Sequence, residues 1–117
     1  MYSNIMRTQK VSIGSVTAAT SVLGDKWTPE LLCSFLVEDT VRFCQLQTLT
    51  KGINPRTLSA RLASLEKNGI IEKINPDTAR CEYRLTQKGH DLLPVLRSME
   101  DWSRNYGSAD IKLAQIG

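Results

Sequence analysis

Gly52-Ile53-Asn54-Pro55-Arg56-Thr57-Leu58-Ser59-Ala60-Arg61-Leu62-Ala63-Ser64-Leu65-Glu66-Lys67-Asn68-Gly69 decides the fold, because it spells a helix with both ends marked. Asn54 offers a side-chain oxygen to the first free N–H groups. Pro55 has no N–H to lose and a φ already suited to the first helical position. Ile53 before the cap and Leu58 four residues after it are spaced as a hydrophobic staple. Leu58, Leu62 and Leu65 fall at i, i+4 and i+7, the spacing of one buried stripe. At about 100° per residue, Arg56, Ala60, Ala63, Ser64 and Lys67 fall on the far face, Thr57 and Ser59 flank them, and Arg61 lies nearer the core edge. Asn68-Gly69 closes the helix, which is therefore predicted from Pro55 to Asn68.

Upstream, Phe43, Leu46 and Leu49 mark one face of a short helix that Gly52 ends. Two helices joined by a few residues around a glycine, with a staple fixing the entry angle, are the sequence form of a helix-turn-helix. Before the acidic turn Glu38-Asp39-Thr40, Thr28 is placed to cap a helix with Pro29 first and Glu30 at the positive end of its dipole. Trp27 and Leu32 form its staple, and a helix from Pro29 to Val37 would bury Leu31, Leu32, Phe35 and Leu36. A further helix, Ser12 to Leu23, has apolar Ile13, Val16, Ala19 and Val22 and stops near Gly24.

Downstream, Ile70–Ile74 and Arg80–Leu85 read as two strands joined across Asn75-Pro76-Asp77-Thr78. Cys81, Tyr83 and Leu85 face one side and Arg80, Glu82 and Arg84 the other, as in a wing with one buried and one solvated face. Thr86 caps a last helix in which Leu92, Val95, Leu96, Met99, Trp102 and Tyr106 recur every three or four residues, with Pro94 bending it or removing one hydrogen bond. The expected fold class is mainly α with a small β-hairpin, a winged helix-turn-helix with dimerisation helices at both ends. The single domain spans 1–117: an arm and helix over 1–24, a core over 25–85 with the wing at 70–85, a helix over 86–106 and a tail over 107–117.

The 117 residues, 41% of them hydrophobic, suffice for one modest core. No run of about 18 uncharged apolar residues occurs and Met1–Val11 is polar, so a cytoplasmic protein without membrane association is expected. The net charge of +3 is uneven: residues 1–24 carry +2 through Arg7 and Lys10, 25–50 carry −2, and 51–73 carry +3. The excess lies where phosphates would bind. Cys33, Cys44 and Cys81 are odd in number and widely spaced, against both a disulfide scaffold and a zinc site, and no metal or cofactor is expected. They suit small core positions, especially Cys33 and Cys81. Cys44 beside Arg42 is the one candidate for a redox role. His90 is alone, and without a Gly-rich phosphate loop or paired carboxylates no enzymatic constellation forms.

A helix that buries three leucines and exposes Arg, Thr, Ser and Ala suits the major groove of double-stranded DNA. Arg56, Thr57, Ser59, Ala60, Arg61 and Ser64 are the groove candidates, with Arg61 alternatively structural, paired to a carboxylate at the helix flank. Lys51, Lys67 and Arg80 suit phosphate contacts or solvated charges. Ile13 and Val16 with Leu92, Val95, Leu96, Met99, Trp102 and Tyr106 are candidates for a homodimer interface. The competing reading is a winged-helix protein-interaction module that does not read DNA.

Gly24-Asp25-Lys26-Trp27-Thr28 resembles the G-x-K-W-T signature of the HxlR-type transcription regulators, winged-helix relatives of the MarR group. Arg42-Phe43 with Leu46, Gly52-Ile53-Asn54-Pro55-Arg56, Leu58-Ser59 with Arg61-Leu62, Leu65-Glu66 and Gly69-Ile70, and Glu82-Tyr83 with Leu85-Thr86 and Gly89 match further blocks in register, from Gly24 to Trp102. The resemblance implies a homodimer with its terminal helices at the interface and two wings astride an operator. Many relatives carry a Cys-Pro sensor pair where this chain has Gly14-Ser15, so a sensor role does not carry over and the effector is unknown. The wing turn is also shorter than in many relatives, which counts against deep minor-groove contact.

Overall fold

The computed structural model describes residues 13–110, with side chains from Ser15 to Gly107; Arg7, Lys10 and the side chain of Ile13 lie outside the described residues. The elements in order are α1 (Ile13–Leu23), α2 (Thr28–Cys33) running into a 3-10 turn (Ser34–Leu36), β1 (Thr40–Val41), α3 (Phe43–Leu49), α4 (Pro55–Lys67), β2 (Ile71–Ile74), β3 (Glu82–Leu85), α5 (Gln87–His90) and α6 (Leu93–Asp110). The strands form one antiparallel sheet in the order β1-β3-β2. Ile71 pairs with Leu85 and Ile74 with Glu82, while Thr40 pairs with Arg84 and Val41 with Tyr83. The strand at Thr40–Val41 replaces part of the expected acidic turn. Two residues carry too little periodicity to mark a strand, and only the free edge of β3 selects them.

Helix α4 begins as its sequence dictates. The Thr57 N–H donates to Asn54 Oδ1 at 2.8 Å, and Leu58, Leu62 and Leu65 are buried. They meet Leu31, Leu32, Phe35, Val41, Leu46, Ile70, Ile71 and Leu85 in one core. Gly52 takes φ +87 in the turn before α4, a backbone conformation that side chains with a Cβ rarely adopt, and the Trp27 ring edge lies against it. Lys26 Nζ sits 4.7 Å above that ring.

Three expectations are corrected here. The helical spacing puts Leu36 and Leu49 on buried faces, but they are 40% and 47% exposed. The tightening of α2 into a 3-10 turn rotates Leu36 outward. At the end of α3, Thr50, four residues after Leu46, takes the buried position instead of Leu49. The last helix is two helices. Thr86 caps only α5, accepting the Gly89 N–H at 3.1 Å, and Pro94 stands in the first turn of α6, where its missing N–H is harmless, so it helps start α6 rather than bending it. Helix α6 then continues through Gly107 to Asp110, so the expected boundary between helix and tail moves.

Cys33 also departs from the core position expected for it. It is exposed, and Cys81 is half-buried. Desolvation on its inner side, then the carboxylates of Glu100 and Glu30, push the Cys33 thiol up.

The cap of α2 is a further correction. Thr28 is itself in the helix and buried, and the capping oxygen comes from Asp25, whose Oδ2 accepts the N–H groups of Trp27 and Thr28 at 2.9 and 3.0 Å. Asp and Thr are both capping residue types, and only the folded backbone distinguishes Asp25 from the threonine adjacent to Pro29. Burial opposes ionisation of Asp25, but the Thr28 hydroxyl, the two N–H groups and the charge of Arg61 outweigh it, so the carboxyl titrates below its ordinary 3.8.

Gly89, in α5, lies close against Ile70 and Leu85. A Cβ there would run into the Ile70 carbonyl oxygen and lie 2.9 Å from Leu85 Cδ2. Gly89→Ala is therefore expected to lower stability by about 1–3 kcal/mol, read from denaturant midpoints, since one obstructing atom is backbone and cannot rotate away. A depressed Asp25 pKa contributes stability that is complete above the unfolded value and lost as pH falls through the lower folded one. The melting-temperature gap between the wild type and Asp25→Asn is accordingly expected to be open at neutral pH and to close as pH drops below about 4.

Candidate nucleic-acid interface

With three leucines turned inward, α4 presents a continuous outer face. Arg56, Ser59, Ala60, Ala63, Ser64 and Lys67 are exposed, and Thr57 is half-buried at its edge. The side chains along its middle are small, so a surface could approach the backbone closely while Arg56 reaches beyond it. Lys51 is exposed before the turn that leads into α4.

The wing tip is held by one threonine. The Thr78 N–H and hydroxyl both donate to the Asn75 carbonyl at 3.2 and 3.0 Å, and Thr78 Oγ1 accepts the Arg80 N–H at 3.0 Å. Asn75 takes φ +54. Arg80 is exposed after this tip. Among the described residues, Lys51, Arg56, Lys67 and Arg80 are in no ion pair, whereas Arg61, Lys73 and Arg84 are paired with Asp25, Glu66 and Glu72 at 3.9, 3.9 and 2.7 Å. The structure thus separates the seven cations named here, five in the stretch 51–73 and two in the wing, into four unpaired ones and three held by carboxylates. Sequence reasoning did not see the Arg84–Glu72 pair, although the strand register places those two residues opposite each other. It also missed Lys88, whose Nζ donates to the Asn68 carbonyl at 2.8 Å and covers the C-terminal end of α4. A lysine twenty residues downstream carries no local signal of that role.

The expected interface stripe divides. Val16, Val95, Met99, Trp102 and Tyr106 are 41–54% exposed. Leu96 is only 4% exposed and belongs to the chain's own core, with Leu92 packed against it, so these two candidates are used within the subunit. Val16, Ala19, Thr20, Leu23, Gly24, Val95 and Met99 line a groove of about 270 Å³ between α1 and α6. Cys44 is exposed and lines another, of about 360 Å³, with Val37, Glu38, Gln45, Thr48 and Leu49. No group of three or more metal-ligating side chains occurs among the described residues, and no helix among them is long and apolar enough to cross a membrane.

The family model described as HxlR-like helix-turn-helix matches residues 22–111, from the end of α1 to just past α6. An uncharacterized HTH-type transcriptional regulator of Methanothermobacter thermautotrophicus (strain Delta H) is 34% identical over 96 residues, which cover 80% of this chain and 72% of the relative. The reduced form of the redox regulator HypR superposes with a TM-score of 0.71 at 27% identity, over 78% of this chain and 91% of that one. Quinone-bound YodB of Bacillus subtilis superposes with a TM-score of 0.70 at 26% identity, over 81% of this chain and all of the other. With the capped helix α4, the three-stranded wing and these matches agreeing, the chain belongs to the HxlR-like family of helix-turn-helix transcriptional regulators.

Proposed function

We propose that the chain regulates transcription as a homodimer that binds a pseudo-palindromic operator, with α4 of each subunit in the major groove of one half-site. The observation that carries this reading is the division of α4 into an anchored stripe and a naked face of Arg56, Ser59, Ala60 and Ser64. The guanidinium of Arg56 is matched to the O6 and N7 acceptors of guanine, and the short side chains beside it permit close approach. Lys51, Lys67 and Arg80 lie before, at the end of and beyond α4, where they suit backbone phosphates.

The homodimer rests on a second observation. Val95, Met99, Trp102 and Tyr106 follow the spacing of one helical face, the rings of Trp102 and Tyr106 meet tilted at 50° with centroids 5.6 Å apart, and all four side chains are exposed in the isolated subunit. A contiguous apolar stripe of that kind marks an interaction surface. A second copy is its natural occupant, since a two-fold axis would present two α4 helices about one turn of DNA apart.

Fluorescence anisotropy at several salt concentrations, on a duplex selected from genomic fragments and on an unrelated duplex, tests the DNA reading. Arg56→Ala is expected to cost about 1–3 kcal/mol on the selected duplex and much less on the other. Lys67→Ala should weaken both alike and lower the salt slope by about 0.9. Background affinity in low salt, together with a stable protein partner, would instead favour an interaction module. For the dimer, Trp102→Glu is expected to shift sedimentation from two subunits to one; an unchanged mass would remove the α6 stripe from the interface.

A further inference from the structure

Asp25 stands between two helices and is committed to both. Its Oδ2 accepts the N–H groups at the start of α2, so the carboxylate plane is set by that helix and not by α4. Its Oδ1 lies 3.9 Å from Arg61 Nη1. That separation gives attraction between charges without a hydrogen bond. The Arg61 side chain is 37% exposed, and its Nε is buried with no hydrogen-bond partner among the described residues. Arg61 therefore carries donors that its own fold does not use, and its charge is partly neutralised from one side. Around α4 it sits about 40° from Thr57, on the border between the buried stripe and the exposed face.

We propose that Asp25 is a positioning residue that withholds Arg61 from the DNA backbone. It draws the guanidinium against the corner between α1 and α2, so the flank of α4 offers a phosphate one cation fewer than the sequence contains. Arg56 and the small side chains of the naked face are left as they are. The consequence is selective: contacts to phosphate add affinity for any sequence, so restraining Arg61 lowers sequence-independent attraction without touching a base edge. This inference rests on α4 being the helix that meets DNA.

The test compares the slope of log affinity against log salt for the full chain and its variants on the two duplexes named above. Asp25→Asn removes the charge and keeps an oxygen for the Trp27 and Thr28 N–H groups; Asp25→Ser does the same with a shorter cap. Melting curves establish that each variant is folded at the assay temperature. Both Asp25 variants are expected to steepen the slope by about 0.9 on both duplexes, an extra loss of about 3.5-fold in affinity between about 50 and 200 mM salt. Arg61→Gln alone should leave the wild-type slope unchanged and, combined with Asp25→Asn, should abolish the increment. An unchanged slope in the folded Asp25 variants overturns the proposal. So does an increment that survives Arg61→Gln, because it would report only the general gain in positive charge. Wild-type protein that binds neither duplex sinks the DNA reading itself, whereas wild-type binding with unaltered slopes sinks only the assignment to Asp25.

Discussion

Leu58, Leu62 and Leu65 lose nearly all contact with water when α4 docks, and the placement of every other functional group follows from that burial. Each such side chain contributes about 2 kcal/mol relative to exposure, against about 1 kcal/mol for a helix cap. The leucines consequently determine which way the helix faces, and Asn54 determines where it starts. With those two settings made, Arg56, Ser59, Ala60 and Ser64 have no option but to point away from the core. The outer face of α4 is the complement of the packing on its inner face.

Around that helix, the remaining elements act as braces at its two ends. At the N-terminal end, Trp27 packs its ring edge beside Gly52 and Asp25 reaches Arg61, so the Gly24–Thr28 segment contacts both the helix-turn-helix turn and the helix after it. At the C-terminal end, Lys88 covers the Asn68 carbonyl, and the Thr86 hydroxyl meets the carbonyls of Gly69 and Ile70. Surface ion pairs of this length contribute little to stability by themselves. What these contacts contribute is placement, since each joins α4 or its C-terminal end to a segment distant from it in sequence.

Sorting of the cations follows the same logic. The central stretch has a local excess of positive charge in sequence, but charge counting cannot tell a guanidinium facing solvent from one facing a carboxylate. In the folded chain Arg84 is spent across the sheet on Glu72 and Lys73 lies near Glu66, while Arg56, Lys51, Lys67 and Arg80 remain unpaired among the described residues. The electrostatic surface that a polyanion would meet is thus smaller and more sharply placed than the composition suggests.

Sequence alone determined the start, the length and the inward stripe of α4, the glycine turn before it, and the hairpin after it. Each of these is a local matter: a cap, a proline, a positive φ and a period of 3.6 or 2 act within a few residues of one another. Tertiary structure decided what depends on a neighbour distant in sequence. It added β1 at Thr40–Val41, split the last helix before Pro94, turned Leu36 and Leu49 outward and took Leu96 into the core. It also moved the cap of α2 from Thr28 to Asp25 and left Cys33 exposed. Whether a given apolar side chain is buried, or a given arginine is free, is settled by the surface that comes to lie against it, and that surface exists only once the chain has folded.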